Sequence, residues 1–306
     1  MNITIRLYGG CFMNNQRQNY VLLTDSSCDL SEETAISLGI QVLPLIVNLN
    51  GREYKNYPFE KEVSTKQFYT ALREGQNAFT SAANADSFIQ MMSPILEEGK
   101  DIIYLGFSSA LSATYQNSCI AAEDLREKYP GRKISCIDSR CASLGQGLFV
   151  YLTAKEMQKG ASYEELTAFI EKMLPHICHW FTVDDLNFLK KGGRISATTA
   201  VVGSILHIKP VLHVDDEGRL INVEKVRGRK AAIKALYDKI EANATDISSQ
   251  IVMISHGDCY EEAAALAESI KANLHPREVL INAIGPVIGA HSGPGTLALF
   301  FIGSKR

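Results

Sequence analysis

Short apolar runs alternate with amphipathic stretches through the first half of the chain. Tyr20–Leu23, Asp101–Gly106 and Lys133–Ile137 read as strands, and they lead into Thr24-Asp25-Ser26-Ser27, Ser108-Ser109 and Asp138-Ser139 respectively. Helical spacing fills the gaps. Phe88, Met91, Met92 and Ile95 form one apolar stripe, with Asp86 placed to cap it. Ser31 opens another helix that closes near Gly39, and a third ends at Tyr129 before Pro130-Gly131. Gln41–Leu49 reads as one strand closed by the hairpin signal Asn50-Gly51. Strands separated by helices of this length predict right-handed crossovers and a parallel sheet.

From about Ser162 the pattern changes. Pro210–Val214 and Leu220–Val226 are apolar-rich runs around the turn Asp215-Asp216-Glu217-Gly218, and Thr296–Ile302 is a terminal apolar strand. A hairpin and a terminal strand point to a mixed or antiparallel sheet. The fold class expected is therefore α/β in two domains. Residues 20–160 form an N-terminal domain with a mainly parallel sheet flanked by helices, and residues 161–306 form a C-terminal α/β domain. Residues 1–19 read as an extension, with Met13 as an alternative start.

Composition narrows the function. Of 306 residues, 31 are basic and 34 acidic, and this balance argues against nucleic acid as a partner. Seven cysteines, an odd number without a C-x-x-C, fit reduced thiols in a cytoplasmic protein. His176, Cys178 and His179 lie close together without a second cluster at zinc spacing, so no metal is expected. The most apolar stretch, Ile284–Gly303, is broken by Pro286, Pro294, His291 and several glycines, so no membrane span is expected.

The polar residues after the strands sit where open parallel sheets bind ligands. They also suit plain helix capping, the commoner use of such residues. Ser112 falls where a helix begins, and a helix start offers free amides to an anion. Thr80-Ser81 reads as a turn. Gly285–Gly295 carries four glycines and two prolines around His291 and reads as a rigid loop presenting an imidazole. Lys190-Lys191-Gly192-Gly193-Arg194-Ile195 is a solvated loop or an anion-facing flap. Arg227, Arg229 and Lys230 gather cations at a helix start, a mild misfit with the helix dipole that hints at a partner. Gly106-Phe107-Ser108-Ser109-Ala110 lacks the second glycine of a nucleophile elbow. Phosphate-loop and dinucleotide-binding glycine patterns are also missing.

Taken together, several stretches resemble the bacterial DegV proteins. They are Thr24-Asp25-Ser26-Ser27-Cys28-Asp29-Leu30, Thr80-Ser81, the segment Ser108–Tyr115, Asp138-Ser139, Lys191-Gly192-Gly193-Arg194-Ile195 and Gly285–Gly295, in order from about Tyr20 to Gly303. The resemblance implies one long-chain fatty acid buried at the domain junction. It also implies a role as the fatty-acid-binding subunit of a bacterial fatty acid kinase, whose catalytic subunit phosphorylates the carboxylate. No catalysis by this chain alone and no cofactor are then expected. By position, Thr80, Ser112 and His291 would bind the carboxylate, and Arg194 would line the pocket entrance. Ser81, Ala113 and Ser139 would lie at the pocket or its entrance, and Arg227 and Arg229 would face the kinase. Ala113 stands where the family usually has glycine, and Cys141 where a small hydroxyl is more usual. Two other readings compete: an acyl-ester hydrolase using Ser112 and His291 as nucleophile and base, and a ligand-dependent sensor.

Overall fold

The computed structural model describes residues 19–58, 60–196 and 207–306. Met13 and nearly all of the expected extension lie outside the described residues. No described helix is long and apolar enough to cross a membrane.

Three sheets carry the fold. The first has strands β1 (Tyr20–Asp25), β2 (Gln41–Leu43), β6 (Asp101–Gly106) and β7 (Ile134–Asp138), all parallel, in the order β2-β1-β6-β7. A small antiparallel sheet, β4-β3-β5, joins β3 (Leu45–Leu49), β4 (Arg52–Asn56) and β5 (Ala78–Ser81). The third sheet runs β10-β9-β8-β13-β11-β12. Its strands are β8 (Ile177–Thr182), β9 (Ile208–Val214), β10 (Leu220–Arg227), β11 (Ile251–His256), β12 (Glu278–Ala283) and β13 (Leu297–Ile302). Only β11 and β12 pair in parallel there, so this sheet is mixed.

Among the described residues the α-helices are α1 (Glu32–Leu38), α2 (Thr65–Arg73), α3 (Ala85–Glu97), α4 (Thr114–Lys128), α5 (Leu144–Gln158) and α6 (Tyr163–Met173). They continue with α7 (Leu186–Lys191), α8 (Arg229–Asn243), α9 (Tyr260–Leu274) and α10 (Pro286–Ser292). Three local details depart from the sequence reading. Gln41–Leu49 divides at Pro44, which has no N–H for a ladder, so β2 and β3 join different sheets. Asn84, not Asp86, caps α3 through its side chain. Thr80 and Ser81 lie on β5 rather than in a turn.

Central strand β6 is buried along its whole length, as a strand covered on both faces must be. Helix α5 is buried over most of its surface and packs against β8, β11 and β13 on one side and the turn after β1 on another. Its glycines permit this double approach. A Cβ on Gly147 would sit 2.5 Å from the Cys28 carbonyl oxygen, and one on Gly145 would collide with the His179 ring.

Among the polar contacts that tie the halves of the chain to each other, two groups stand out. The β9–β10 turn is held at its tip, where Ser108 Oγ donates to the Gly218 carbonyl at 2.9 Å and Arg140 Nη1 to the Asp216 carbonyl at 3.0 Å. Asp29 makes the second tie. Its carboxyl accepts from Ser143 Oγ at 2.6 Å and from the Gly285 amide at 2.9 Å, while its carbonyl accepts from Asn282 Nδ2 at 2.6 Å. Burial outweighs these donors and pushes the Asp29 carboxyl up to about 7.

Asp29 gives a pH signature. Folded, it keeps its proton to about pH 7; unfolded, it loses it near pH 4. Between these values the native state binds more protons, so this group's contribution to stability falls as pH rises from about 4 to 7 and is level above. The Asp29→Asn variant keeps an acceptor for Gly285 and never ionises. Its unfolding free energy relative to wild type should therefore rise from pH 4 to pH 7, with a slope of at most about 1.4 kcal/mol per pH unit, and its Tm relative to wild type should rise with it. A constant difference would show that Asp29 is already ionised at pH 4.

Candidate functional site

Where the loops after β1 and β6, strand β5 and the third sheet meet lies a cavity of about 330 Å³. Its walls are mostly apolar. Strand β13 contributes Ala298 and Phe300, its neighbour β8 contributes Phe181, and the β9–β10 hairpin contributes Val214 and Leu220. Ala298 and Phe300 are two residues apart, so they share one face of their strand.

A polar group gathers on one part of the wall, and each member comes from a different element. Strand β5 is paired to β3 with Thr80 opposite Val47. From there Thr80 Oγ1 lies 2.7 Å from His291 Nε2. Ser112 precedes α4, where its Oγ accepts from the Thr114 amide at 3.2 Å and lies 2.9 Å from Thr114 Oγ1. Ala113 occupies the cap position of α4 and supplies no side-chain bond there. Ser81 and Ala113 are exposed at the rim, while Thr80, Ser112, Arg194 and His291 are half-buried.

His291 sits on α10, not in a loop. Pro286 takes the first helical position, where its missing N–H costs nothing, and Gly293 ends the helix at φ 77°. The glycines that made this segment look irregular serve packing instead. A Cβ on Gly289 would lie 2.6 Å from Tyr69 Oη, and one on Gly285 would lie 2.9 Å from Asp29 Oδ1. Helical spacing then turns Val287, Ile288, His291 and Ser292 to the cavity together.

The flap after α7 closes over the imidazole. A Cβ on Gly192 would collide with His291 Nδ1. Arg194 anchors the flap, its Nε donating to the Leu111 carbonyl at 3.1 Å and its Nη1 to that of Gly192. Burial, with the Arg194 charge adding to it, lowers His291 to about 4. The imidazole is therefore neutral near pH 7, and it exchanges a hydrogen bond with a hydroxyl rather than offering a full charge.

Other expected residues lie elsewhere. Ser139 is fully buried off the cavity wall, and its Oγ accepts from the Cys141 amide at 3.1 Å. Cys141 is equally buried and away from the wall. Both belong to the turn between β7 and α5. Ser108 and Ser109 are likewise spent on structure, Ser109 Oγ donating to Asp138 at 2.5 Å. Among the residues directly following β1, β6 and β7, only Ser27 and Phe107 border the cavity, and the Ser27 hydroxyl is engaged by Asp25 and Gln146. Arg229 is not free for a partner, because its guanidinium pairs with Glu262 at 2.6 Å and Asp184 at 3.5 Å. Those acids offset the dipole misfit. Arg227 ends β10 and is exposed. Ser112 and His291 do not form the hydrogen-bonded pair a hydrolase needs, since His291 is bonded to Thr80.

The apolar wall residues Phe181, Ala298 and Phe300 were legible only as strand core. Ser292 escaped notice because its segment read as a loop; a helical reading would have placed it one turn beyond Ile288.

Known proteins share this architecture. A profile of the DegV family matches residues 19–304. A DegV domain-containing protein of Clostridium perfringens is 43% identical over 289 residues, covering 94% of this chain and 99% of the relative. A Streptococcus pyogenes relative is 34% identical, covering 94% and 99%. Among solved structures, a Thermus thermophilus DegV family protein described by its fatty acid binding is 32% identical with a TM-score of 0.83, covering 92% and 98%. DegV of Bacillus subtilis, described as a fatty acid binding protein, is 27% identical with a TM-score of 0.81, covering 94% and 100%.

The site predicts its own titration. The His291 ring protons, followed by NMR, should titrate near pH 4 in the free protein. Removing the nearby charge in Arg194→Gln should raise that midpoint while burial keeps it below 6.5. An ordinary midpoint in wild type would mean that the ring is solvated.

Proposed function

The chain belongs to the DegV family, and from that premise we propose that it holds one long-chain fatty acid in the cavity and presents the carboxylate to a partner kinase. The observation that carries this reading is a largely apolar cavity whose wall carries Thr80 Oγ1 within 2.7 Å of His291 Nε2, with the Ser112 hydroxyl also on the wall. The fatty acid binding of its Thermus and Bacillus relatives supports the same ligand class.

The energetics suit such a ligand. Each methylene buried contributes about 0.8 kcal/mol, so the tail supplies most of the affinity. The carboxylate needs partners, because a buried charge without them is very costly. Thr80 and Ser112 hydroxyls donate to it in this reading. The neutral His291 orients the Thr80 hydroxyl, and Arg194 lends positive potential at the entrance. No bidentate arginine grips the head group, so one carboxylate oxygen stays free to react. On the kinase, that oxygen attacks the γ-phosphorus of ATP, the bond to the bridging oxygen breaks, and ADP leaves as the acyl phosphate forms. This chain contributes position rather than chemistry, so it is not an enzyme alone. Arg227 remains the kinase-facing candidate, and the ligand lies at the junction of domains 20–160 and 161–306.

Native mass spectrometry of the freshly purified protein, followed by lipid extraction, tests the reading. One fatty acid per chain is expected. Thr80→Ala and Ser112→Ala should each weaken binding roughly three- to tenfold, as loss of one hydrogen bond does. With the kinase and radiolabelled ATP, acyl phosphate should form only when protein, kinase and fatty acid are all present. A chain that stays empty across a range of fatty acids would end the proposal.

A further inference from the structure

Ser292 and Thr296 form a second polar step on the cavity wall, separate from the three groups assigned to the carboxylate. Ser292 is only 5% exposed, borders the cavity, and its Oγ finds no hydrogen-bond partner among the described residues. A buried hydroxyl left unpaired costs about 1–3 kcal/mol, so such groups point to something they bind. Thr296 is 2% exposed and also borders the cavity. Its hydroxyl proton is shared between the carbonyls of Ser292 at 2.8 Å and Gly293 at 2.9 Å, which leaves its oxygen able to accept. One residue thus offers a free donor and its neighbour a free acceptor.

The place of this pair along the cavity sets what it would meet. Ser292 directly follows His291 on α10, and both border the cavity. Thr296, immediately before β13, and Ala298 and Phe300 within it are two residues apart in turn and all border the cavity, so they form one row. Thr296 stands at the α10 end of that row, and the apolar Ala298 and Phe300 continue it. A chain whose head meets His291 and whose tail runs along this row passes Ser292 and Thr296 near its carboxyl end.

We propose that Ser292 and Thr296 form a subsite for a hydroxyl carried near the carboxyl end of the acyl chain, so that the cavity prefers 2- or 3-hydroxy long-chain fatty acids over unsubstituted ones. The proposal rests on the carrier reading above. The ligand hydroxyl accepts from Ser292 Oγ and donates to Thr296 Oγ1, so both of its capacities are used. An unsubstituted methylene at this point would leave the Ser292 hydroxyl unpaired.

Displacement of a fluorescent fatty acid by hexadecanoate and by its 2-hydroxy, 3-hydroxy and 16-hydroxy derivatives tests this. In wild type, the 2- or the 3-hydroxy acid should bind roughly three- to tenfold tighter than hexadecanoate, and the 16-hydroxy acid more weakly than hexadecanoate. Ser292→Ala should abolish the preference while hexadecanoate binds at least as well as before, and Ser292→Thr, which keeps a hydroxyl, should retain it. Thermal unfolding of both variants checks that they fold. The subsite alone is overturned if hexadecanoate binds as tightly as both near-carboxyl hydroxy acids, or if the preference survives Ser292→Ala. If no acid of the series binds to wild type, the carrier reading falls and the subsite with it.

Discussion

The close approach of α5 to two sheets at once is the constraint on which the site depends. Gly145 faces the His179 ring of the mixed sheet, and Gly147 faces the Cys28 carbonyl beyond β1. With side chains at either position the sheets would have to move apart. The start of this helix is then placed for several tasks. Ser143, held at φ 53° despite being a serine, reaches Asp29 and Ser255. Gln146 bonds Thr24 Oγ1 at 3.0 Å and accepts from Ser27. The spacing these contacts enforce is the spacing of the cavity walls.

The polar end of the cavity balances two demands. On the proposed function, a carboxylate entering it must find donors, yet one that is to react must not be bound too well. Burial settles much of this balance at His291 by keeping its ring neutral. The neutral ring and the Thr80 hydroxyl pass one hydrogen bond between them at 2.7 Å. An imidazolium there would hold the anion as a salt bridge in a low dielectric and reduce its nucleophilicity. Arg194 keeps its guanidinium occupied with the Leu111 and Gly192 carbonyls, which fixes the flap and leaves a diffuse charge at the rim.

The parallel sheet was legible because a strand covered on both faces must be apolar throughout, as β6 is. The mixed sheet was legible from its hairpin turn and terminal strand. What the sequence hid has a common cause: residues whose reason lies far along the chain. Gly285 and Gly289 suggested a loop, but they accommodate Asp29 and Tyr69, more than 200 residues earlier. Arg229 looked like a cation awaiting a partner, and its partner Glu262 lies 33 residues away on the next helix. Ser139 was drawn into the expected site by its position after a strand, and a local turn bond accounts for it. Pro44 was visible in Gln41–Leu49, yet the switch of sheets it brings was not. Thr80, Ser112 and His291 came through resemblance, and local spacing alone left each of them with a plainer use.

The tip of the β9–β10 hairpin is fastened by donors from the first half to carbonyls of the second, Ser108 to Gly218 and Arg140 to Asp216. Carbonyls are common to every amino acid, so the hairpin's own side chains carry none of this attachment. Gly218 is constrained, since it adopts φ 80° and a Cβ there would run into Ser108 Oγ, and the Asp215 carboxylate holds the turn's shape by accepting from the Glu217 and Arg219 amides. The arms of the same hairpin bring Val214 and Leu220 to the cavity. Substitutions along those arms can therefore reshape the cavity wall while the joint between the halves stays intact.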